Sequence, residues 1–163
     1  AATFLLYRYA KKGFITRIKR GLYVFPDALP PDLYIANKIY QPSYVSLEFA
    51  LSYHRVIPET VYEVTSVTSK ATRRFQTLGK IFSYRRIARR AFTGYTIVQQ
   101  QGFSFAITDP EKAFVDTLYY RLLAGHAPLD RFDKEKVNPE KALAYAELVK
   151  NRDLADVIRT SLQ

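Results

Sequence analysis

The order in which helical and extended patterns follow one another most narrows what this chain can fold into. Residues 3–12 have helical character and end at Gly13, and residues 14–25 carry the β-branched and aromatic residues of a hairpin. Helical patterns return at 32–40 and 46–54. Extended segments follow at 62–68, 80–87, 95–100 and 103–107, and helices at 108–123 and about 139–162. Strands grouped between helices, without strict βαβ alternation, predict an α+β fold with an antiparallel or mixed sheet. Pro26, Pro30 and Pro31 interrupt the chain after the hairpin. The expected organisation is a small module at 1–26, the second half of a winged helix-turn-helix, followed by an α+β domain at 32–163.

Local signals sharpen several elements. Thr3 reads as an N-cap and Gly13 as a left-handed C-cap, with Leu6 and Ala10 one turn apart and facing a core. Lys19-Arg20-Gly21 is the hairpin turn, Ser46 reads as a helix cap, and Gln101-Gly102 joins two strands. Asp109-Pro110 places a capping carboxylate before a proline suited to the first helical position, with Ala113, Phe114, Leu118 and Leu122 as the apolar stripe. The last two helices are expected to break near Asn151-Arg152.

Charge then divides the chain. Residues 1–25 hold Arg8, Lys11, Lys12, Arg17, Lys19 and Arg20, and residues 70–90 hold Lys70, Arg73, Arg74, Lys80, Arg85, Arg86, Arg89 and Arg90, with no acid in either window. The other eleven basic residues face fifteen carboxylates, so the net charge of +10 belongs to two segments. Segregated positive charge fits a polyanion-binding surface. In the first window, Arg8, Lys11 and Lys12 would lie on a helix in the DNA major groove, and Thr16, Arg17, Lys19 and Arg20 on a wing along the flanking backbone. An amphipathic helix with a solvated basic hairpin is the alternative. In the second window, Lys70, Arg73 and Arg74 precede a strand, and the pairs Arg85-Arg86 and Arg89-Arg90 could clamp a DNA or RNA backbone, dock an acidic protein, or simply solvate a surface.

Chemistry is sparsely signalled. With no cysteine, disulfides, thiolate metal sites and cysteine nucleophiles are excluded. His54 and His126 stand far apart and fit no metal spacing. Asp109, Glu111 and Asp116 admit a metal-dependent nuclease or RNA-processing site in principle, but helix capping accounts for the first two, and no nucleophile elbow, phosphate loop or dinucleotide fingerprint occurs. The expectation is a protein that is not an enzyme, with no cofactor and no metal. No apolar run spans a membrane, no secretory signal pattern opens the chain, and a reducing cytoplasm fits the cysteine count. The chain has no methionine, so residues upstream of Ala1 are expected.

Four blocks in succession carry a family likeness. Gly13-Phe-Ile-Thr-Arg-Ile-Lys-Arg-Gly-Leu-Tyr-Val24, Pro42-Ser-Tyr-Val-Ser-Leu-Glu-Phe-Ala-Leu-Ser-Tyr-His54, Phe92-Thr-Gly-Tyr-Thr-Ile97 and Ile107-Thr-Asp-Pro-Glu-Lys-Ala-Phe-Val-Asp-Thr-Leu118 resemble motifs of the AbiEi-type antitoxins, predicted transcriptional regulators of viral defence. The resemblance implies an N-terminal winged helix that binds double-stranded operator DNA and represses its own operon, and a C-terminal α+β domain associated with antitoxin activity. It implies a nucleotidyltransferase-like toxin as functional partner, countered without a stable complex. It supplies no active site.

Overall fold

The sheet is built outward from a three-residue strand that the sequence pattern does not reveal. A computed structural model describes residues 1–163. The elements in chain order are α1 (Ala2–Lys11), β1 (Thr16–Lys19), β2 (Leu22–Val24), α2 (Asp32–Ile39), β3 (Ser43–Val45), α3 (Leu47–Tyr53), β4 (Val64–Thr68), β5 (Arg73–Thr77), β6 (Lys80–Arg86), β7 (Tyr95–Gln100), β8 (Phe103–Thr108), α4 (Pro110–Leu123), α5 (Pro139–Val149) and α6 (Leu154–Leu162), with short 3-10 turns at Arg89–Ala91 and Lys134–Lys136. β1 and β2 form a separate hairpin, and the other six strands form one sheet in the order β5-β6-β4-β3-β8-β7. β3 runs antiparallel to β4 and parallel to β8, and β4 runs parallel to β6, so the sheet is mixed. The α+β class and the mixed sheet agree with the sequence.

Register separates the two faces. Val64 pairs with Phe82 and Ser66 with Tyr84, so these side chains share one face, on which the Tyr84 hydroxyl donates to the Ala36 carbonyl of α2. Thr65, Ser83 and Arg85 point to the other face, which α3 and α4 cover over β4, β3 and β8. The inner residues of the hairpin, Ile18 and Val24, join the same apolar core as the sheet.

Several local expectations hold for stated reasons. Asp109 accepts the Lys112 backbone N–H at 2.7 Å with Pro110 behind it, and α4 buries Ala113, Phe114 and Leu118. Gln101 and Gly102 both have positive φ, as the two-residue turn between β7 and β8 requires. Asn138 caps α5 before Pro139, and the two last helices part at Lys150–Asp153.

Others are corrected. Ala1, not Thr3, stands at the cap of α1, which makes no side-chain capping bond and buries none of its residues, so Leu6 and Ala10 face no core. Arg73 and Arg74 precede the expected strand, β6, but they also open a strand of their own, β5, which the expected set does not include. Ser46 holds the N-cap position of α3, but its side chain makes no capping bond. Leu47 adopts φ 62°, a left-handed conformation that turns the chain sharply, and the Ser46 hydroxyl instead donates to Asp116 at 2.8 Å.

Candidate nucleic-acid interface

The hairpin tip is fastened to the sheet domain. Along β1 the side chains alternate, so Ile18 turns into the core while Arg17 faces solvent. Lys19 reaches across and donates its ammonium to the carbonyl of Ile39, the last residue of α2, where the helix leaves carbonyls unpaired. Its Nζ lies 5.9 Å from the Phe75 ring of β5. Arg20, at the turn itself, is exposed and has no carboxylate partner.

The second basic window is not one surface. Pairing of Arg73 with Tyr84 and of Arg74 with Ser83 places the two neighbouring arginines on opposite faces of the sheet. Arg73 joins the α2 face, its guanidinium 5.7 Å from the Tyr40 ring, and Lys70 lies 5.6 Å from the same ring. The Tyr40 hydroxyl is held by the Ala71 carbonyl at 3.0 Å. Arg74 and Arg85 belong to the other face, where Arg74 meets Glu63 at 3.6 Å and Arg85 sits over Tyr120 at 5.5 Å. Arg86 and Arg89 are exposed at the far end of β6. Arg90 is engaged elsewhere: its guanidinium donates to the carbonyls of Leu148 (3.0 Å) and Val149 (3.3 Å), closing the C-terminus of α5. A clamp built from the two arginine pairs is therefore not formed.

What the fold does assemble is a groove that neither window defines alone. Lys19 and Arg20 from the hairpin, Lys38 from α2, and Lys70 and Arg73 from the loop and β5 line an open depression of about 530 Å³ floored by Tyr40 and Phe75. No acid lines it. By contrast, Lys80 on the neighbouring strand is paired to Asp32 at 2.6 Å. Five like charges around one concavity repel one another unless an anion enters, and a row of phosphates satisfies several at once. Arg8, Lys11 and Lys12 lie in solvent on α1 and, like Thr16 and Arg17, take no part in this lining. Lys38, Tyr40 and Phe75 are the participants that sequence reading missed. Lys38 looks there like an ordinary basic residue in a helix's last turn, and only the tertiary fold brings it beside the other four.

A second depression of about 900 Å³ opens on the opposite face, where α3 and α4 stop short of β5 and β6. Arg74 and Arg85 line it together with Thr65, Thr72 and Ser83, facing Glu48 and Glu63, and Arg73, on the edge strand, borders this depression as well as the groove.

The carboxylates of α4 are occupied internally. Asp109 caps the helix, accepts the Tyr145 hydroxyl and pairs with Lys141 at 3.1 Å. Asp116 is fully buried and is held by Ser46 and by the Lys112 ammonium. Burial pushes the Asp116 carboxyl above the usual range, while Lys112 and Ser46 pull it back down. No group of three His, Asp or Glu side chains converges. His54 Nε2 lies 2.6 Å from the Thr108 carbonyl, tying α3 to the start of α4. No helix is long and apolar enough to cross a membrane.

No protein-family model and no curated protein matches this chain.

Proposed function

We propose that the chain is a DNA-binding autorepressor and antitoxin of a toxin–antitoxin or phage-defence operon, with the groove between the hairpin tip and β5 as its contact with the DNA backbone. The observation that carries this reading is the meeting of Lys19 and Arg20 from one acid-free window with Lys70 and Arg73 from the other around a single groove, with Lys38 between them and no acid in its lining. A hairpin presenting Arg20 to a phosphate backbone is the behaviour of a wing. The second window then extends the wing's footprint across β5. The antitoxin part of the proposal rests on the AbiEi-like motif blocks. Of their residues, Ser46, Lys112 and Asp116 lie in the interior and half-buried Gly94 packs against Lys112, where they support the fold. Action against a nucleotidyltransferase-like toxin, without a stable complex, falls in this reading to the exposed surface of the α+β domain, and the compartment is the cytoplasm.

The test is fluorescence anisotropy on promoter DNA of the chain's own operon. Arg20→Ala and Arg73→Ala are each expected to weaken binding several-fold, and Arg74→Ala, on the opposite face, to leave it unchanged. Lys19→Ala is a poor probe, because it also removes the bond to the Ile39 carbonyl. Equal losses for Arg73 and Arg74 variants would sink the groove assignment.

A second reading has its own observation. The cleft holding Arg74 and Arg85 lies across the sheet from the groove and is lined by six hydroxyl-bearing residues, a surface suited to an acidic protein or an RNA backbone. Capture of a partner that survives nuclease treatment and is lost in an Arg74→Ala/Arg85→Ala variant supports a protein there. Loss on nuclease treatment points to RNA.

A further inference from the structure

The basic groove has a neighbour that shares its rim. Lys38, Gln41 and Lys70 line the groove and also line a second open depression, of about 560 Å³, which is likewise free of acids. The chemistry changes across that rim. The groove adds three more cations, Lys19, Arg20 and Arg73. The second depression adds none, and carries instead the rings of Phe92 and Tyr95 and the hydroxyls of Ser43 and Ser104. Tyr95 lies nearly flat against buried Tyr44, with centroids 5.1 Å apart and planes 22° from parallel, yet it stays 40 % exposed. Phe92 is tilted against both rings and fixes the stack. Tyr95 is thus the outer member of an aromatic stack, with ring surface left for one more flat group. The Ser43 hydroxyl oxygen is buried and bonds to no protein group, and Gln41 and Ser104 are exposed.

We infer that this depression seats an unpaired base of a DNA strand whose phosphates lie in the groove. The inference rests on the reading of the groove as a phosphate contact and adds the form of DNA it takes. Concavity selects that form. A base inside a duplex is stacked on both faces and recessed between two backbones, so a hollow in a protein surface does not receive it, whereas an unstacked base protrudes and enters. The lining then matches a nucleotide part by part. Lys38 and Lys70 on the rim meet its phosphate, and the open surface of Tyr95 takes the flat ring. The Gln41 amide and the Ser104 hydroxyl, each able to donate and to accept, meet the polar edge of the base. A bare polyanion leaves the aromatic stack and the amide unused, and an uncharged aromatic compound leaves the lysines unused. Groups that both donate and accept do not select one base, so the seat is tolerant of sequence.

The experiment is fluorescence anisotropy of the full chain at fixed salt with three labelled probes of equal length: a thymidine single strand, an abasic strand with the same phosphates, and a duplex. The wild type is expected to bind the thymidine strand about ten-fold more tightly than the abasic one, the scale of one base stacked on an aromatic ring. Tyr95→Ala should abolish that preference and leave affinity for the abasic strand and the duplex unchanged, while Tyr95→Phe keeps the preference. Gln41→Ala, at an exposed position, should reduce the preference about three-fold with unchanged circular dichroism, and it decides the matter if Tyr95→Ala does not fold. Arg73→Ala should weaken both single strands alike. Equal wild-type affinities for the two strands, with the Arg73→Ala loss present, overturn the base seat and leave the groove standing. A preference that survives both Tyr95→Ala and Gln41→Ala overturns it too. A wild type that binds none of the three probes overturns the groove reading and this inference with it.

Discussion

At the residue scale, the interior is organised around one buried ion pair. Lys112 and Asp116, one helical turn apart on α4, are both inaccessible to solvent. Such a pair adds little net stability, since both ions were taken out of water, but removing one partner strands the other charge. Lys112→Met is therefore expected to lower the unfolding free energy by about 3–5 kcal/mol in urea titration, and adding Asp116→Leu to restore much of the loss. The pair also explains Gly94. Its φ of +82° suits glycine, and a Cβ there would lie 2.6 Å from Lys112 Cγ. Gly94→Ala should cost roughly 2–4 kcal/mol, from the strained backbone and the crowded lysine stem together, by the same titration. Ser46 shows why the site was only half legible. A serine before a helix reads as a cap, and nothing local reveals that a carboxylate seventy residues on claims its hydroxyl. Tyrosine carries the pH dependence. Burial raises the phenols of Tyr44 and Tyr84 well above their usual value, with the Asp116 charge adding to the effect on Tyr44. The unfolded chain loses these protons near pH 10 and the folded chain retains them, so stability is intact below pH 10 and falls above it. The slope is about 1.4 kcal/mol per pH unit for each phenol. Urea midpoints compared at pH 9 and pH 11 measure it.

At the scale of elements, what the sequence revealed and what it hid follow from where each element gets its stability. α4 is readable because its cap and apolar stripe are local: Asp109-Pro110 fixes its start, whereas the Asn138 cap of α5 emerges only in the structure. β3 is too short for a period-two pattern to register, and its place in the sheet comes from its neighbours β4 and β8. β5 was hidden by its own composition, since Arg73, Arg74 and Gln76 look like a loop until they are recognised as an edge. α1 has the apolar residues of a core-facing helix but buries none of them. Its Phe4 is 66 % exposed and its neighbours Leu5 and Tyr7 are exposed as well. The arginine pairs also changed meaning when elements met. Arg90 belongs to the end of α5, not to a phosphate clamp. Arg90→Ala should cost about 1–3 kcal/mol in thermal or urea unfolding and leave DNA affinity essentially unchanged.

At the scale of the whole molecule, charge that is split in sequence is rejoined in space. Arg20 and Lys70 stand fifty residues apart, yet the hairpin tip and the start of β5 meet around Tyr40, and Lys38 completes the ring. The same fold sends Arg74 and Arg85 of the second window to the opposite face and Arg90 to the end of α5, so that no more than part of the +10 acts on one partner. In the proposed function Arg20 and Arg73 serve a single phosphate-binding surface. The most direct measurement is the salt dependence of binding to the operon's promoter DNA. Each phosphate contact releases counterions worth about 0.9 in the slope of log K against log salt. The double variant Arg20→Ala/Arg73→Ala should flatten that slope by about 2 relative to the wild type, while Arg74→Ala leaves it where it was. A double variant with the wild-type slope and affinity would contradict the account.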